Sequence, residues 1–259
     1  MSSSSTYSED DTIAAVTAYY EFLVHMFLPD ESIMYPPLEG WDFPSDITFL
    51  PPKDQKVTSL MRRLPYLKPP ANWEHAYMYE KCEAINYTTL KGSGPHDIDP
   101  EPDETLIPSN VLMIGFTPGR NGHHIFIDTD RGTATLCDFQ TGGKGGTELS
   151  QDPDSLEGAL RRITDDGDEH KENWRAHPTY VIPEFFEILK RQFQELDVIP
   201  HPKGDIEFRR FPPGIDLEGD SLKAIFHNCG WPGQAYMKDE CMRRVREFDG
   251  ESDDEDDSE

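Results

Sequence analysis

The sequence predicts an α+β fold in which helices flank a mainly antiparallel β-sheet. Residues 111–116 (VLMIGF) are almost continuously apolar, which is typical of a strand buried on both faces in the middle of a sheet. After the turn formers of residues 117–122, two β-branched arms at residues 125–128 and 133–139 surround a turn that ends in Gly132, as in a hairpin. The strongest helical patterns lie outside this strand block, which favours helices packed against an antiparallel sheet.

Three stretches have the apolar spacing of amphipathic helices, at residues 12–27, 54–64 and 179–196. Acidic residues precede the first stretch and two arginines lie in the last turn of the second, so the charges complement both helix dipoles. In the third stretch, Pro183 suits a first helical turn because its missing N–H is not needed there. The apolar stripe of this third helix is wide enough to close over a sheet.

Prolines set several of the predicted boundaries. Pro29 is expected to end the first helix, and Pro200 and Pro202 to end the third. Residues 29–52 are rich in proline but also apolar, which predicts an ordered, irregular segment packed over the core. The remaining predicted elements are strands at residues 77–79, 84–90 and 206–211 and helices at residues 155–163, 222–226 and 236–248.

The chain divides into four predicted regions. Residues 1–10 are a flexible, Ser-rich start, and residues 11–200 form the α+β domain. Residues 201–248 form a helical extension packed on that domain, and residues 249–259 form a disordered acidic tail. The tail is expected to be disordered because its like charges repel one another and it has no apolar side chain to bury.

The net charge of −26 restricts the classes of partner that this protein can bind. Nine acids lie between Glu247 and Glu259, and without them the net charge is still −17, so the body is acidic as well. An acidic surface repels phosphate backbones and anionic lipid. We therefore expect no nucleic-acid and no membrane partner, and we favour a protein partner that is itself basic.

The cysteine pattern and the N-terminus indicate an intracellular protein. The four cysteines, at positions 82, 137, 229 and 241, form no CxxC pair, which is typical of reduced thiols rather than of a disulfide framework. The polar start MSSSSTYSEDD has no apolar segment of the kind found in signal peptides. The prediction is a location in the cytoplasm or the nucleus.

Several segments together resemble the SUKH superfamily, which includes bacterial toxin-immunity proteins and fungal cell-wall-synthesis regulators. An N-terminal helix and a Pro-punctuated segment precede HIFIDTDRGTATLCDF (124–139) and the closing helix YVIPEFFEILKRQF (180–193). Residues 226–245 (FHNCGWPGQAYMKDECMRRV) are similar to a C-terminal element of fungal SUKH-like proteins. The resemblance covers about residues 12–200 and this element. It implies an α+β interaction module without catalysis, and it supplies no catalytic residues.

A cluster of His124, Asp128 and Asp130 supports an alternative hypothesis, a metal-dependent transferase or hydrolase. On a strand His124 and Asp128 share one face, and Asp128-Thr-Asp130 matches a loose DxD pattern for divalent cations, with His123 and Asp138 nearby. Aspartates at the end of a hairpin are also what turn chemistry selects. We therefore predict no catalytic residues, no metal and no cofactor, and we keep the enzyme as the alternative.

Two further motifs have simple structural explanations. The run GGKGGT at residues 142–147 lacks the spacing of a phosphate-binding loop and is interpreted as a flexible turn. His227, Cys229 and Cys241 offer three zinc ligands at irregular spacing without a fourth, so we interpret them as a helix-terminal histidine and two buried thiols.

The candidates for contact with a protein partner are Trp231, Trp41 and Tyr35. Trp231 lies between a glycine and a proline in the GWPG run, and the other two lie in the Pro-rich segment. Aromatic side chains with a polar atom are enriched in the centres of protein interfaces. The favoured hypothesis is a non-catalytic, SUKH-type interaction or regulatory module of a fungal cell.

Overall fold

The fold is described from a computed structural model. The described residues are 7–45, 47, 49, 51–69, 76–90, 107–117, 122–137, 177, 179–203, 205–210 and 217–254, with residues 201–210, 217–221 and 249–254 described by their backbone. Among these residues, no helix combines the length and the apolar character needed to cross a membrane.

The architecture is α+β, as predicted. In a six-stranded antiparallel sheet, each strand pairs with its neighbours in sequence. Its strands are β3 (Tyr77–Tyr79), β4 (Cys82–Ala84), β5 (Val111–Phe116), β6 (His124–Asp128), β7 (Thr133–Cys137) and β8 (Thr179–Val181). Two further antiparallel pairs are β1 (Ile33–Met34) with β2 (Tyr66–Leu67) and β9 (Val198–Lys203) with β10 (Asp205–Arg210).

Strand β5 lies inside the sheet, between β4 and β6, as its apolar sequence predicted. Its residues from Val111 to Gly115 are buried on both faces. Gly115 marks an irregularity in the pairing with β6, and it lies close to two sulfur atoms. A Cβ atom at this position would lie 2.6 Å from Cys82 Sγ and 2.9 Å from Met78 Sδ. The absence of a side chain at Gly115 therefore leaves room for the side chains of Met78 in β3 and Cys82 in β4.

The predicted hairpin is confirmed, with β6 and β7 paired from His124 opposite Cys137 to Asp128 opposite Thr133. Its turn closes through a hydrogen bond of 2.9 Å from Gly132 N–H to the Asp128 carbonyl. Gly132 has a φ of 66°, a conformation that glycine adopts without strain. The turn residue expected from the sequence is thus required by the backbone geometry.

Helices α1 (Glu9–Met26) and α2 (Gln55–Arg63) begin at side-chain caps. Ser8 accepts a hydrogen bond from Asp11 N–H, and Asp54 accepts one from Val57 N–H. Such caps satisfy amide donors that have no partner inside the helix. The cap at Ser8 corrects the predicted flexible start, because Ser8 and the two residues after it belong to the ordered helix and its cap.

Helix α3 (Ile182–Gln194) is shorter than the predicted helix at residues 179–196. The first three residues of the predicted stretch instead form β8. This strand pairs with β7 from Thr133 opposite Val181 to Thr135 opposite Thr179. The β-branched residues Thr179 and Val181 suit a strand, and Pro183 places the helix start immediately after them. The helix packs on α1, where the rings of Tyr19 and Phe186 lie 5.3 Å apart.

The strand predicted at residues 84–90 is largely replaced by a turn. Strand β4 ends at Ala84, and the Asn86 side-chain oxygen then accepts hydrogen bonds from Thr88 N–H at 3.0 Å and from the Thr88 hydroxyl at 2.6 Å. This asparagine turn competes with sheet pairing for the local amides. The sequence signal of β-branched residues was therefore outweighed by turn chemistry.

Pro200 and Pro202 do not border a helix, contrary to the prediction, but lie within β9. Helix α3 ends at Gln194, and β9 pairs along its whole length with β10, close to the predicted strand at residues 206–211. Alternate residues of a strand direct their N–H groups to the same side. In a two-stranded ribbon both prolines can therefore face the unpaired side, where no donor is needed.

The C-terminal extension contacts the end of α1. It contains α4 (Leu217–Asn228) and α5 (Lys238–Asp254), which are longer than the helices predicted at residues 222–226 and 236–248. The Tyr236 hydroxyl donates a hydrogen bond of 2.8 Å to the Met26 carbonyl, which joins this extension to the end of α1.

The predicted tail begins too early, because α5 continues through residues 249–254. Adding residues to an existing helix avoids the cost of nucleation. Residues 255–259 lie outside the described part of the chain, as do Asp138 and residues 142–147 and 155–163.

We expect Gly115→Val to destabilise the protein by about 1–3 kcal/mol, because its side chain would overlap the sulfur atoms of Cys82 and Met78. Ile114→Ala, which deletes buried atoms from the same strand, should cost about 2–5 kcal/mol. Denaturant melts measure both effects. The exposed loop variant Gln234→Ala is the control, with an expected change within about 0.5 kcal/mol. Equal stability of all three variants would contradict the central position of β5.

Lys238 connects the C-terminal extension to the end of α1. Its ammonium group donates to the carbonyls of Val24 and Leu28, both at 3.0 Å, and to the Asp30 carboxylate at 2.7 Å. The hydrogen bond from Lys238 also lowers the pKa of Asp30. A cation at a helix C-terminus satisfies carbonyls that have no partner inside the helix.

Lys238→Met should therefore lower the free energy of unfolding by about 1–3 kcal/mol, because the carbonyls of Val24, in the last turn of α1, and of Leu28, just after the helix, lose their donor. Thermal and denaturant unfolding of the purified protein measure this change. Lys68→Met, at an exposed position beyond β2, is the matched control and should be nearly neutral. A neutral Lys238→Met variant would show that the extension does not depend on this contact.

Candidate functional site

Asp128, a candidate metal ligand, holds the turn between β6 and β7. Its Oδ1 accepts hydrogen bonds from Asn110 Nδ2 and Asp130 N–H, each at 2.9 Å, and from Arg131 N–H at 3.1 Å. The Arg131 guanidinium also lies 3.8 Å from Asp128 Oδ2. The side chain is buried, so these donors compensate the loss of water from its carboxylate. The arrangement is that of an aspartate turn.

Asp130 and His124 lie in different surroundings from Asp128. The Asp130 carboxylate is exposed and forms an ion pair of 2.7 Å with Lys56 at the start of α2. His124 is buried at the other end of β6, where its ring stacks on Phe126. Four residues of strand separate the backbones of His124 and Asp128 by about 13 Å.

The distribution of these residues bears directly on the metal hypothesis. His123 lies on the opposite strand face from His124, and its Nδ1 is 3.0 Å from the Glu80 carbonyl. In the part of the chain that the structure describes, no three His, Cys, Asp or Glu side chains come together as a metal site would require. The structure therefore brings together Asp128 and Asp130 in one turn but does not join them with His124.

Cys229 and Cys241 are buried where α4 and α5 meet, as the sequence analysis expected. Burial raises the pKa of Cys241 to about 12, so its thiol is protonated at neutral pH. His227 is exposed, and its Nδ1 lies 3.3 Å from the Trp231 carbonyl. These three residues thus stabilise the junction of the two helices.

Trp231 is buried, with 4% of its surface exposed, and this corrects its assignment to a partner interface. Its indole N–H donates a hydrogen bond of 3.0 Å to the Phe193 carbonyl at the end of α3. Its ring also packs edge-on against Phe22 of α1 and Tyr236 of the extension. The tryptophan fills the junction between α1, α3 and the extension because these elements converge on its side chain.

Trp41 is half-buried and also has a structural role. Its indole N–H donates a hydrogen bond of 2.8 Å to the Leu64 carbonyl, and its ring lies 5.9 Å from that of Tyr66. The residue fastens the Pro-rich segment to the end of α2. It therefore supports the neighbouring surface but offers little of its own ring to a partner.

Tyr35 is exposed, as a partner contact requires. Its side chain is 56% exposed, and its hydroxyl donates a hydrogen bond of 3.0 Å to the Glu21 carboxylate on α1. Of the three interaction candidates, Tyr35 alone presents most of its surface to solvent.

Leu38 lies three residues after Tyr35, is 98% exposed, and was missed by the sequence analysis. The signal that could have identified it is the run YPPLEG, in which two prolines hold the chain extended before a turn. Among the described residues, the exposed large apolar side chains are Tyr35, Leu38 and Met237, and Leu38 is the most open of the three. We refer to residues 35–38 as the YPPL segment, and we take it as the candidate site.

We expect Asp128→Ala to reduce the free energy of unfolding by about 1–3 kcal/mol, because three hydrogen-bond donors lose their acceptor. Asp128→Asn keeps an oxygen in the same place and should cost less. Asp130→Asn removes a surface ion pair and should cost no more than about 1 kcal/mol. Denaturant melts compare the variants, and equal effects of all three would contradict the turn-holding role of Asp128.

The polar residues considered for catalysis thus serve as a turn anchor, a buried strand residue and a surface pair. The YPPL segment, in contrast, presents apolar side chains to solvent. Comparison of the chain with protein-family models, curated proteins and solved structures finds no match.

Proposed function

We propose that the protein is a non-catalytic, intracellular protein-interaction or regulatory module of the SUKH type, located in the cytoplasm or the nucleus. The order of its elements supports this proposal. Helix α1 is followed by the Pro-rich segment, then by the β6–β7 hairpin, and then by α3. This is the order of segments on which the resemblance to that superfamily was based.

The observation that carries the proposal is the exposure of Tyr35 and Leu38 on an ordered part of the structure. Contiguous apolar surface is typical of protein interfaces, and these two exposed side chains lie three residues apart in one segment. A tyrosine supplies a large contact area at a low entropic cost because it has few rotatable bonds. The YPPL segment therefore has the composition of a contact surface.

The partner is proposed to be a basic protein. The chain carries a net charge of −26, and the exposed acids Glu31 and Glu39 flank the YPPL segment in sequence. A negative field accelerates the approach of a positive partner and opposes the approach of nucleic acid or anionic lipid. The proposal therefore includes neither a nucleic-acid nor a membrane partner.

The alternative, a metal-dependent enzyme using His124, Asp128 and Asp130, has less support. A metal site needs ligands within coordination distance of one ion. His124 and Asp128 lie at opposite ends of β6, and the Asp128 carboxylate is surrounded by hydrogen-bond donors of its own turn. The geometry favours the turn over the metal site.

Gel filtration of a native extract from cells that express the protein tests this proposal. We expect the 29.6 kDa chain to elute in a larger complex at about 0.1 M salt and to shift toward monomer size at about 1 M, because salt screens the charge attraction. Mass spectrometry of the complex should identify a basic partner chain. Elution at monomer size at both salt concentrations would contradict the proposed function.

A further inference from the structure

The YPPL segment leads directly into a β-turn that is held against α2. Gly40 N–H donates a hydrogen bond of 2.9 Å to the Pro37 carbonyl, which places Leu38 and Glu39 at the centre of the turn. Gly40 has a φ of +79°, and a Cβ there would lie 3.0 Å from the Arg62 carbonyl oxygen. Glycine thus permits both the turn conformation and its close approach to the helix.

Both ends of this turn are anchored to the fold. Before it, β1 pairs with β2, with Ile33 opposite Leu67. After it, Trp41 N–H donates a hydrogen bond of 2.9 Å to the Arg62 carbonyl, and its indole N–H bonds the Leu64 carbonyl. The Arg62 side chain adds a hydrogen bond of 2.9 Å to the Glu39 carbonyl. The turn is therefore fixed from both sides.

This anchoring gives the exposed side chains a defined position. Pro36 and Pro37 each have a fixed φ, so the backbone between Tyr35 and Leu38 has little freedom left to lose. A contact element that is ordered before binding avoids much of the entropic cost of association. Leu38 projects from the turn with 98% of its surface exposed, so nearly its whole apolar area is available to a partner.

The charges around the segment are mainly negative. Glu31 and Glu39 are exposed, Asp42 is almost fully exposed, and the Glu21 carboxylate accepts the Tyr35 hydroxyl. Arg62 lies 3.5 Å from the Asp42 carboxylate, Lys238 pairs with Asp30 at 2.7 Å, and Lys68 is exposed just after β2. An occupant with Lys and Arg around its contact surface complements this rim.

We infer that the YPPL segment is a preformed docking element, and that its occupant is a protein with an apolar pocket rimmed by lysine and arginine. Leu38 enters the pocket, Tyr35 packs on its edge, and the acids pair with the basic rim. This inference rests on the proposed function and assigns its binding site. A second copy of this chain does not fit, because it would bring another net charge of −26 to an acidic surface.

Leu38→Ser and Tyr35→Ser test the inference in the full chain, with Met237→Ser as a matched control. Met237 is 52% exposed, but it belongs to the C-terminal extension and lies outside the segment. We expect Leu38→Ser to weaken the complex at least about tenfold, as hot-spot truncations do, and Met237→Ser to leave it unchanged. Circular-dichroism melts should show unchanged folding of the Leu38 variant, because this side chain is exposed.

Photo-cross-linking identifies the occupant. A benzophenone amino acid at position 38 should label apolar residues of the partner that are adjacent to Lys and Arg, whereas the same probe at position 237 should not label them. Equal labelling from both positions, or labelling of a surface without basic residues, would overturn the inference.

The two proposals fail in different ways. If a salt-sensitive complex forms and survives Leu38→Ser, the docking site is wrong while the interaction function stands. If the unmodified chain forms no complex, the proposed function fails, and with it the docking site.

Discussion

The enclosure of β5 on both faces is the constraint on which the rest of the structure depends. Strand β6 pairs with β5 on one side, and on the other side β4 pairs with its last two residues, so both neighbours supply hydrogen-bond partners to its backbone. Gly115 permits the close approach of Cys82 in β4, and a side chain at this position would displace the sulfur atoms of Cys82 and Met78. The helices then cover a sheet whose position is already fixed by this central pairing.

Buried tyrosines connect the layers around this sheet. Tyr19 of α1 donates its hydroxyl to the Met78 carbonyl of β3, and Tyr79 of β3 donates to the Gln192 side chain of α3. Tyr87 donates to the Met113 carbonyl of β5. Burial raises the pKa of Tyr19 and of Tyr87, so these hydroxyls remain protonated donors at neutral pH. Each ring thus contributes apolar area and satisfies a polar group in the same place.

The candidate docking element depends on this rigid framework. Helix α2 provides the backbone carbonyls that fix Trp41, and its Arg62 side chain holds the turn that carries Leu38. Without those contacts the Pro-rich segment would bind only after paying the entropic cost of ordering. Trp41 therefore helps to hold the turn that exposes Leu38, even though this tryptophan is not itself an open contact surface.

Local sequence determined the parts whose structure follows from neighbouring residues. The apolar run of β5 predicts a buried strand, and Gly132 permits a turn with a positive φ. Pro183 suits the first turn of α3 because it lacks an N–H donor. Each of these signals is readable along the chain. The acidity of the chain, with its net charge of −26, is also a property of composition.

Only the tertiary structure decided which of the candidate residues are exposed. Trp231 and Tyr35 were both predicted as partner contacts, but the convergence of α1, α3 and the extension buried Trp231, whereas Tyr35 is exposed. Tertiary structure likewise separated His124 from Asp130 and placed Pro200 in a two-stranded ribbon. Exposure depends on which distant segments meet, and residue type and local spacing carry little information about such long-range contacts.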